Sequence, residues 1–345
     1  MNFEVASIWT YQLGGDYWWD IVIKGFVLAF VLITAAAYSV WAERKVAARI
    51  QLRIGPNRVG KFGLLQPLAD AVKLLMKESS APSARDRILF AVAPVVAVTA
   101  AFFAFAVIPV SSVNNINGFQ YHWDIAHINV GLLFVFAVTS LGVYALFLGG
   151  WSGNSKYSLL GGLRSSAQLI SYEMAVSFAV LGVIILAGSL NLETIVTAQK
   201  HLWFIFLQPL AFLLYFTGAL AETNRLPFDL PEAETELVAG YHTEYTSMQF
   251  GVYFLAEYIN MVTVSSIATV LFLGGWQSPT GYLSFVPGVI WFLIKVVGGV
   301  LTMMWIRWTL PRFRYDRLMN FGWKALLPLG LLNIVITGGV VGLRG

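Results

Sequence analysis

The sequence has 345 residues, of which 58% are hydrophobic and only 12% are charged, and its mean hydropathy is +0.71. So high an apolar fraction excludes a soluble globular protein and indicates an integral membrane protein. The net charge is +4 and there is no cysteine, which excludes disulfides, iron–sulfur ligation and thiolate zinc sites within this chain.

Eight segments are long and apolar enough to span a bilayer. A span needs about 20 apolar residues, and it is predicted to be helical because a helix satisfies its own backbone hydrogen bonds. The predicted spans are Ile21–Trp41, Ile88–Val110, Val130–Gly150, Ala167–Ala187, Trp203–Ala221, Gly251–Gly275, Pro287–Ile306 and Ala325–Val341. The predicted fold is therefore an all-α integral membrane protein with about eight transmembrane helices, forming a single transmembrane domain over residues 1–345.

Basic residues are concentrated on one side of these spans. The first, third, fifth and seventh connecting segments hold 18 of the 22 Lys and Arg residues. Because cytoplasmic loops are enriched in Lys and Arg, these segments are predicted to face the cytoplasm, with both chain termini on the opposite side.

The first cytoplasmic segment, residues 42–87, is predicted to be a basic amphipathic loop. Between Gly63 and Glu78, apolar and polar residues occupy opposite faces of a helical pattern. The apolar set is Leu64, Leu65, Leu68, Val72, Leu75 and Met76, and the polar set is Gln66, Asp70, Lys73 and Lys77. This pattern predicts a short helix that lies at the membrane interface or covers the mouth of a cavity.

Residues 222–250 are predicted to form an acidic loop on the side where positive charge is expected. Asp229 and Glu232 have the spacing of a capping box, which predicts a short helix. Glu232 and Glu236 would share one side of it, and Glu234 would face elsewhere. Carboxylates this close together titrate as a coupled set, which suits a proton-linked switch; the alternative is a solvated acidic loop.

Three charged residues lie deep within the predicted spans, Glu173, Glu257 and Lys295, with Glu222 at the end of its helix; Lys24 lies only three residues from the outer end of the first span. A charge inside a membrane is costly and usually faces a partner, a cavity or a proton path. We therefore predict a proton path through Glu173, Glu222, Glu257 and Lys295. The alternative is that they form structural ion pairs, or neutral carboxyls hydrogen-bonded between helices.

Several kinds of chemistry have no support in the sequence. The four histidines are in separate loops or helix ends, so haem ligation by a histidine pair is not expected. The sequence has no Walker loop, no Rossmann glycine pattern, no nucleophile elbow and no zinc-protease motif. No catalytic residue and no metal site are therefore predicted in this chain.

Two long motifs resemble the quinone-site membrane subunit of complex I, the proton-pumping NADH:quinone oxidoreductase (the H subunit in bacteria, subunit 1 in mitochondria). The first motif is Gly63–Glu78, and the second is Pro227–Gly240, which reads PFDLPEAETELVAG. The resemblance extends through Ala42–Lys45, Arg53–Arg58 and Ala221–Arg225, and the layout of eight spans agrees with it.

The resemblance implies roles for the charged residues. The family's quinone chamber is implied to involve Arg44, Arg53, Asp229, Glu232 and Glu234. The acidic path from the chamber toward the pumping subunits is implied to involve Glu173, Glu222 and Glu257, with Lys295 a weaker member. The resemblance implies that this chain shapes the quinone site and couples quinone reduction to proton translocation.

The resemblance also implies the setting of the chain. Quinone is the substrate, and the FMN and iron–sulfur clusters belong to partner subunits, so this chain is expected to carry no redox cofactor. The expected partners are the peripheral-arm subunits, the small and antiporter-like membrane subunits, and lipids, but no nucleic acid. The location is the bacterial inner membrane with periplasmic termini, or the mitochondrial inner membrane if the chain is organellar.

Three other functions are compatible with the residues alone. A stand-alone proton-linked transporter would use the same buried charges as its ion path. A purely structural anchor would need them only for assembly. The homologous component of a membrane-bound hydrogenase is a closer alternative, although the resemblance to the NADH enzyme is stronger.

Overall fold

The structure, a computed structural model, describes residues 18–112, 114–116, 119–121, 124–229, 239–279 and 285–344. Within these residues the helices are α1 (Trp18–Ile50), α2 (Gln66–Met76), α3 (Arg87–Phe105), α4 (Gly131–Ser152), α5 (Lys156–Ala187), α6 (Leu192–Ala198), α7 (Phe204–Leu207), α8 (Pro209–Glu222), α9 (Ser247–Phe272), α10 (Gly288–Thr309), α11 (Tyr315–Phe321) and α12 (Leu327–Arg344). One turn of π-helix, Gly322–Leu326, joins α11 to α12. An antiparallel hairpin pairs Asn114–Ile116 with Phe119–Tyr121.

The predicted all-helical membrane fold is confirmed. Among the described residues, seven helices are long and apolar enough to cross a membrane, and they coincide with seven of the eight predicted spans. They are Ile21–Ile50, Arg87–Phe105, Gly131–Ser152, Lys156–Ala187, Ser247–Phe272, Gly288–Thr309 and Tyr315–Leu343.

The fifth predicted span is not one continuous helix. The apolar run Trp203–Ala221 predicts an unbroken helix, but α7 and α8 are separated at Gln208, whose backbone is non-helical (φ −134°, ψ 61°). The cause is Pro209, because a proline disfavours helical geometry at the residue before it. The two pieces together cover residues 204–222, which corresponds to about 28 Å of helix and is enough to cross the apolar core.

Two helices extend well beyond the apolar segments that predicted them. α1 continues past Trp41 to Ile50, and α5 begins at Lys156, ahead of the predicted start at Ala167. α5 ends at Gly188, which takes the left-handed conformation (φ 68°) typical of a helix C-cap. The extension of α1 matters for function, because it places the charged residues after Trp41 on a rigid helix instead of in a loop.

The core is built around α5 and α9. α5 packs against α4, α8 and α12, while α9 packs against α1, α3 and α10 and is the most enclosed of the long helices. Small residues allow close approach: a Cβ added to Gly150 of α4 would lie 2.9 Å from the Cα of Gly162 in α5. Substitution at this crossing would therefore force the two helices apart.

The predicted amphipathic helix is present as α2, and its apolar face is exposed in this chain. Leu68, Leu75 and Met76 are 64%, 66% and 82% exposed. The opposite side holds the helix in place: Asp70 accepts a 2.8 Å hydrogen bond from Arg44 on α1. The Ser247 hydroxyl donates to the carbonyls at the end of α2. α2 is thus fixed to α1 and α9 with its apolar side turned outward.

Candidate functional site

Glu43, near the end of α1, is the centre of a buried charge network. Its Oε2 accepts hydrogen bonds from Arg225 Nη1 and from the Tyr258 hydroxyl, both at 2.7 Å. Its Oε1 accepts from Arg307 Nη1 at 2.6 Å. Glu43 is only 4% exposed, and a carboxylate this deeply buried is stable only when charged donors satisfy it in this way.

Arg225 connects Glu43 to a second carboxylate. Its Nε lies 3.2 Å from Glu257 Oε1, and its guanidinium carbon lies 4.4 Å from the ring centroid of Tyr258. The residue is 1% exposed. Burial lowers the pKa of Arg225, but Glu257 and Glu43 outweigh that effect and raise it, so the guanidinium stays charged. Arg225 is therefore a fixed positive charge shared by two acids.

The local sequence explains how Arg225 is aimed inward. α8 ends in a Schellman motif, in which Arg225 N donates to Leu220 O and Asn224 N donates to Ala221 O. Asn224 takes the left-handed conformation that this motif requires (φ 50°). The chain thus reverses its direction directly after the helix and returns the arginine to the bundle interior.

A cavity of about 70 Å³ lies beside this network. Glu257 and Glu222 both line it, together with Thr139, Asn224 and Asn260. The volume is large enough for several water molecules, and the polar lining residues could serve as their hydrogen-bond partners. Glu257 therefore faces Arg225 on one side and a hydratable space shared with Glu222 on the other.

Glu173 on α5 continues the line beyond the cavity. Its carboxylate accepts a short hydrogen bond from Ser140 on α4. It is close enough to Glu222 for the two charges to interact, and Thr139 lies beside Glu222. We call this arrangement of Glu43, Arg225, Glu257, the cavity, Glu222 and Glu173 the acidic row. The structure thus brings together three of the four residues of the predicted proton path.

The start of the acidic loop is anchored to the bundle. Asp229 is buried and pairs with Arg312, with 3.0 Å between Oδ2 and Nη2. Gln168 of α5 donates to the carbonyls of Ala221 and Phe228, at 2.9 and 2.8 Å. Glu232 and Glu234, and the short helix predicted around them, lie outside the described residues. Their placement at the chamber stays a prediction.

His242 is a buried histidine near Asp229. It follows Gly240 in a short 3₁₀ turn that presses against α5 at Gly161, where an added Cβ would lie 2.6 Å from the Gly240 Cα. Burial lowers the pKa of His242 to about 4, although the charge of Asp229 acts in the opposite direction. The imidazole is therefore neutral at physiological pH.

The two arginines predicted to line the chamber are exposed in this chain. Arg44 forms the ion pair with Asp70 of α2 while its side chain remains 47% exposed. Arg53 Nε donates to Gln51 Oε1 at 2.7 Å. Neither one is part of the buried network: Arg44 lies on the last turns of α1 and Arg53 lies just after that helix, and both are exposed.

Lys295 lies apart from the acidic row. Its ammonium donates to the carbonyls of Leu273, Gly275 and Gln277 at 2.7, 2.8 and 2.7 Å, and it lies 4.4 Å from the ring of Trp203. These carbonyls follow the end of α9, which is about 24 Å along the helix from Glu257. Its place in the proton path stays a prediction; its contacts are those of a cation that caps the C-terminus of a helix.

Four residues of the buried network have no role in the predictions from sequence: Glu43, Arg225, Arg307 and Tyr258. Two signals were present: Glu43 is an acid within the strongly basic segment after the first span, and Arg225 is the only Lys or Arg of the acidic fifth segment. Each departs from the charge of its surroundings. This signal singles out Arg225 in its segment but not Glu43, because Asp70, Glu78 and Asp86 are also acids of the basic segment.

The chain was also compared with known proteins. The family model for NADH dehydrogenase matches residues 23–338. One of the H subunits of NADH-quinone oxidoreductase in Geobacter metallireducens is 50% identical over 355 aligned positions, covering 99% of this chain and all of the relative. The H subunit of Syntrophotalea carbinolica is 51% identical, covering 94% and 97% of the two chains. That of Paramagnetospirillum magneticum is 48% identical, covering 93% and 92%. The resemblance seen in the two sequence motifs is thus confirmed, and the chain belongs to the NADH dehydrogenase family as an H subunit of NADH-quinone oxidoreductase, the enzyme also called complex I.

Proposed function

We propose that this chain forms the membrane side of the quinone chamber of the complex and couples quinone reduction to proton translocation. The proposed substrate of the complex is a membrane quinone. Its electrons come from NADH through FMN and iron–sulfur clusters held by peripheral-arm subunits. In this assignment the chain contributes shape, charge and proton movement, and it carries no redox centre of its own.

The observation that carries the proposal is the continuity of the acidic row. Charged groups inside a membrane protein are energetically costly, and an isolated ion pair does not provide a continuous route for protons. Here Glu257 is shared between the Arg225 network and the cavity, and the cavity leads to Glu222 and then to Glu173. A change at the loop that follows Arg225 has a connected electrostatic route into the bundle.

The chemistry of quinone supplies such a change. Reduction of a quinone to a quinol takes two electrons and two protons, so the reduced headgroup first carries negative charge and then withdraws protons from its surroundings. Asp229 and the acids that follow it in the loop would experience both effects. Two charges 4 Å apart interact by about 4 kcal/mol at an effective dielectric constant of 20, several times the value in bulk water.

The acidic row then responds as coupled sites. Arg225 is a fixed cation between Glu43 and Glu257, so any change that strengthens its attraction to one acid weakens its hold on the other. Protonation of Glu257 would free the guanidinium for Glu43. A proton crossing the cavity would relieve the repulsion between Glu222 and Glu173, since a proton on either carboxylate removes one of two neighbouring negative charges.

The direction of the row supports transfer to neighbouring subunits. On α5 the buried side chains beyond Glu173 are apolar: Ala175, Val176, Ala179 and Val180 are at most 1% exposed. This layer separates the described acids from the opposite end of the helix. We therefore propose that charge moves along the plane of the membrane toward the small and antiporter-like subunits, and not straight through this chain.

The proposed setting follows from the same surfaces. The peripheral arm would dock on the side that carries α2 and the basic loop 42–87, which is the proposed cytoplasmic side. Both termini would then face the periplasm of a bacterial inner membrane. Quinone would enter between lipids and this chain at the exposed apolar face of α2.

The test is Glu257→Gln in native membranes, compared with Asp316→Asn, an exposed acid outside the acidic row. Reduction of ferricyanide by NADH measures the assembled peripheral arm, and inhibitor-sensitive quinone reduction and proton pumping measure the membrane steps. We expect ferricyanide activity to be kept by both variants, and quinone reduction with pumping to fall at least fivefold only in Glu257→Gln.

Other outcomes favour the other functions. Normal quinone reduction and proton pumping in Glu257→Gln would contradict the proposal. A fall in assembly with unchanged turnover per assembled complex would favour a structural anchor. Proton transport by the purified chain alone in vesicles would favour an independent transporter.

A further inference from the structure

Asn224 lies between two members of the acidic row, and its side chain reaches the cavity beside them. It comes two residues after Glu222 and directly before Arg225, which pairs with Glu257. Asn224, Glu222 and Glu257 all line the cavity of about 70 Å³. The side chain of Asn224 therefore shares one space with both carboxylates.

The backbone at Asn224 does not explain why the residue carries an amide. Its left-handed conformation (φ 50°) is the one that closes the Schellman motif after α8. Glycine takes this conformation without steric cost and is the usual residue at such a position, with asparagine used less often. The backbone therefore requires a residue that tolerates a positive φ, but it does not require the carboxamide.

The carboxamide oxygen has no hydrogen-bond partner in the described part of the chain. Asn224 Oδ1 is buried and accepts no hydrogen bond there. The lining hydroxyls of Thr139 and Thr223 donate to backbone carbonyls instead. An ionised Glu222 or Glu257 cannot supply the missing bond, because a carboxylate only accepts hydrogen bonds. A buried acceptor is costly to leave unsatisfied, so Oδ1 requires a donor within the cavity.

We propose that Asn224 is a positioning residue, whose Oδ1 accepts a hydrogen bond from a water molecule in the cavity and holds that water between Glu222 and Glu257. The inference rests on the proposed function, because it assigns a role within the same proton route. Water is the donor that matches: it is neutral, and the cavity has room for it. It can donate one proton to Oδ1 and the other to a carboxylate.

The bound water gives the route a fixed intermediate position. Proton transfer requires the donor and the acceptor to lie within hydrogen-bond reach, directly or through one water. A water without a fixed partner can occupy many positions in the cavity, whereas a water bound to Oδ1 stays beside the two acids. The step balances, because the water accepts a proton from protonated Glu257 as it gives one of its own to ionised Glu222. The amide orients the water and does not itself take up the proton.

The experiment compares Asn224→Gly with Asn154→Gly in the intact complex. Asn154 also has a positive φ (51°), after the end of α4, but it is exposed and is not among the residues that line the cavity. Both changes replace asparagine by glycine in the left-handed conformation, so Asn154→Gly controls for the effect on the backbone. We expect normal NADH:ferricyanide activity and a normal thermal inactivation midpoint in both variants. Inhibitor-sensitive quinone reduction should fall at least threefold only in Asn224→Gly.

Two further readouts distinguish the positioning of a water from a structural effect. The solvent deuterium isotope effect on quinone reduction should rise in Asn224→Gly, because a poorly placed water makes proton transfer more strongly rate-limiting. A loosened fold would leave this isotope effect unchanged. A cryo-EM map of the natural complex, at a resolution that shows ordered water, should contain water density within about 3.2 Å of Asn224 Oδ1.

The inference is overturned if Asn224→Gly has the same quinone kinetics as Asn154→Gly, or if its isotope effect is unchanged. A map in which Oδ1 bonds to protein and to no water would also overturn it, and this map decides if Asn224→Gly does not assemble. Glu257→Gln identifies which proposal has failed. Impaired pumping in Glu257→Gln with normal turnover in Asn224→Gly would reject only the role of Asn224. Normal pumping in Glu257→Gln would reject the proton route itself.

Discussion

The two ends of this helical bundle treat buried polar groups differently. At the end that includes Arg225, charged groups are shared: Arg225 lies between two acids, and Glu257 lies between Arg225 and a cavity. At the end that includes Lys295, the ammonium is held by three backbone carbonyls. A charged side chain that is shared between two partners can change its protonation or its hydrogen bonds when one partner changes. A side chain whose hydrogen bonds all go to backbone carbonyls is held in one arrangement. A charge within a span is therefore not a functional signal until its partners are known.

The largest expected effect comes from removing the shared cation. In Arg225→Met, Glu43 and Glu257 keep their buried charges without the partner, and loss of one member of a buried pair costs about 3–5 kcal/mol. We expect the amount of assembled complex, measured as NADH:ferricyanide activity in membranes, to fall at least fivefold. Arg53→Met, at an exposed arginine, is the control and should assemble normally.

A double variant sharpens this result. Neutralising Glu43 together with Arg225, as Glu43→Gln with Arg225→Met, removes one of the two carboxylate charges that face the lost cation and should restore part of the assembly. If the double variant were no better than the sum of the single ones, the two residues would not be coupled through their contact.

The second prediction concerns the histidines, which differ between the two ends. His242 has a pKa lowered to about 4 by burial, against about 6.5 when unfolded. Unfolding therefore takes up a proton between these values, so His242 contributes stability above about pH 6.5 that is lost as the pH falls toward 4. The loss reaches about 2 kcal/mol by pH 5. His242→Gln should flatten this dependence, measured as the thermal inactivation midpoint at pH 5 and pH 7.5.

His127 provides the opposite sign as a control. Its hydrogen bond to Asp124 raises its pKa, so its contribution is present below about pH 6.5 and is lost as the pH rises through the raised value. The side chain is 38% exposed, which keeps the effect under about 1 kcal/mol. An unchanged pH dependence in His242→Gln would contradict the assignment of a buried neutral imidazole.

The third prediction concerns Lys295, at the other end of the bundle from Arg225. Lys295→Met removes three hydrogen bonds to carbonyls, at a cost of at least about 1.5 kcal/mol. We expect a lower thermal inactivation midpoint but unchanged protons pumped per NADH, in contrast to Glu257→Gln. Loss of pumping at normal thermal stability would instead place Lys295 in the proton path, as the resemblance implies.

These differences mark what the sequence could predict. Glu173 and Glu257 stand out because a charge within an apolar run is visible from composition alone. The sequence does not single out Glu43, because the apolar run stops at Trp41 while the helix continues to Ile50, so the pattern places this residue in a basic loop and not on a rigid helix. The partners of Lys295 are backbone carbonyls, which leave no trace in residue identity. Pro209 indicates a break in the fifth span, but the mean hydropathy of residues 203–221 is high throughout and therefore predicts one continuous helix.

The smallest expected effect on stability is that of replacing Arg44. This variant distinguishes a role of Arg44 in stability from a role in quinone binding. Its ion pair with Asp70 is half exposed, so Arg44→Gln should cost less than about 1 kcal/mol and leave assembly and ferricyanide activity unchanged. If the arginine also contributes to the quinone chamber, the KM for a short-chain quinone should rise severalfold while kcat changes little. The matched control is Lys73→Gln, which removes the other, more distant cation beside Asp70. Identical quinone kinetics in the two variants would mean that Arg44 only holds α2 at the surface, and Asp229 and the buried acidic row would then remain as the candidate site in the described part of the chain.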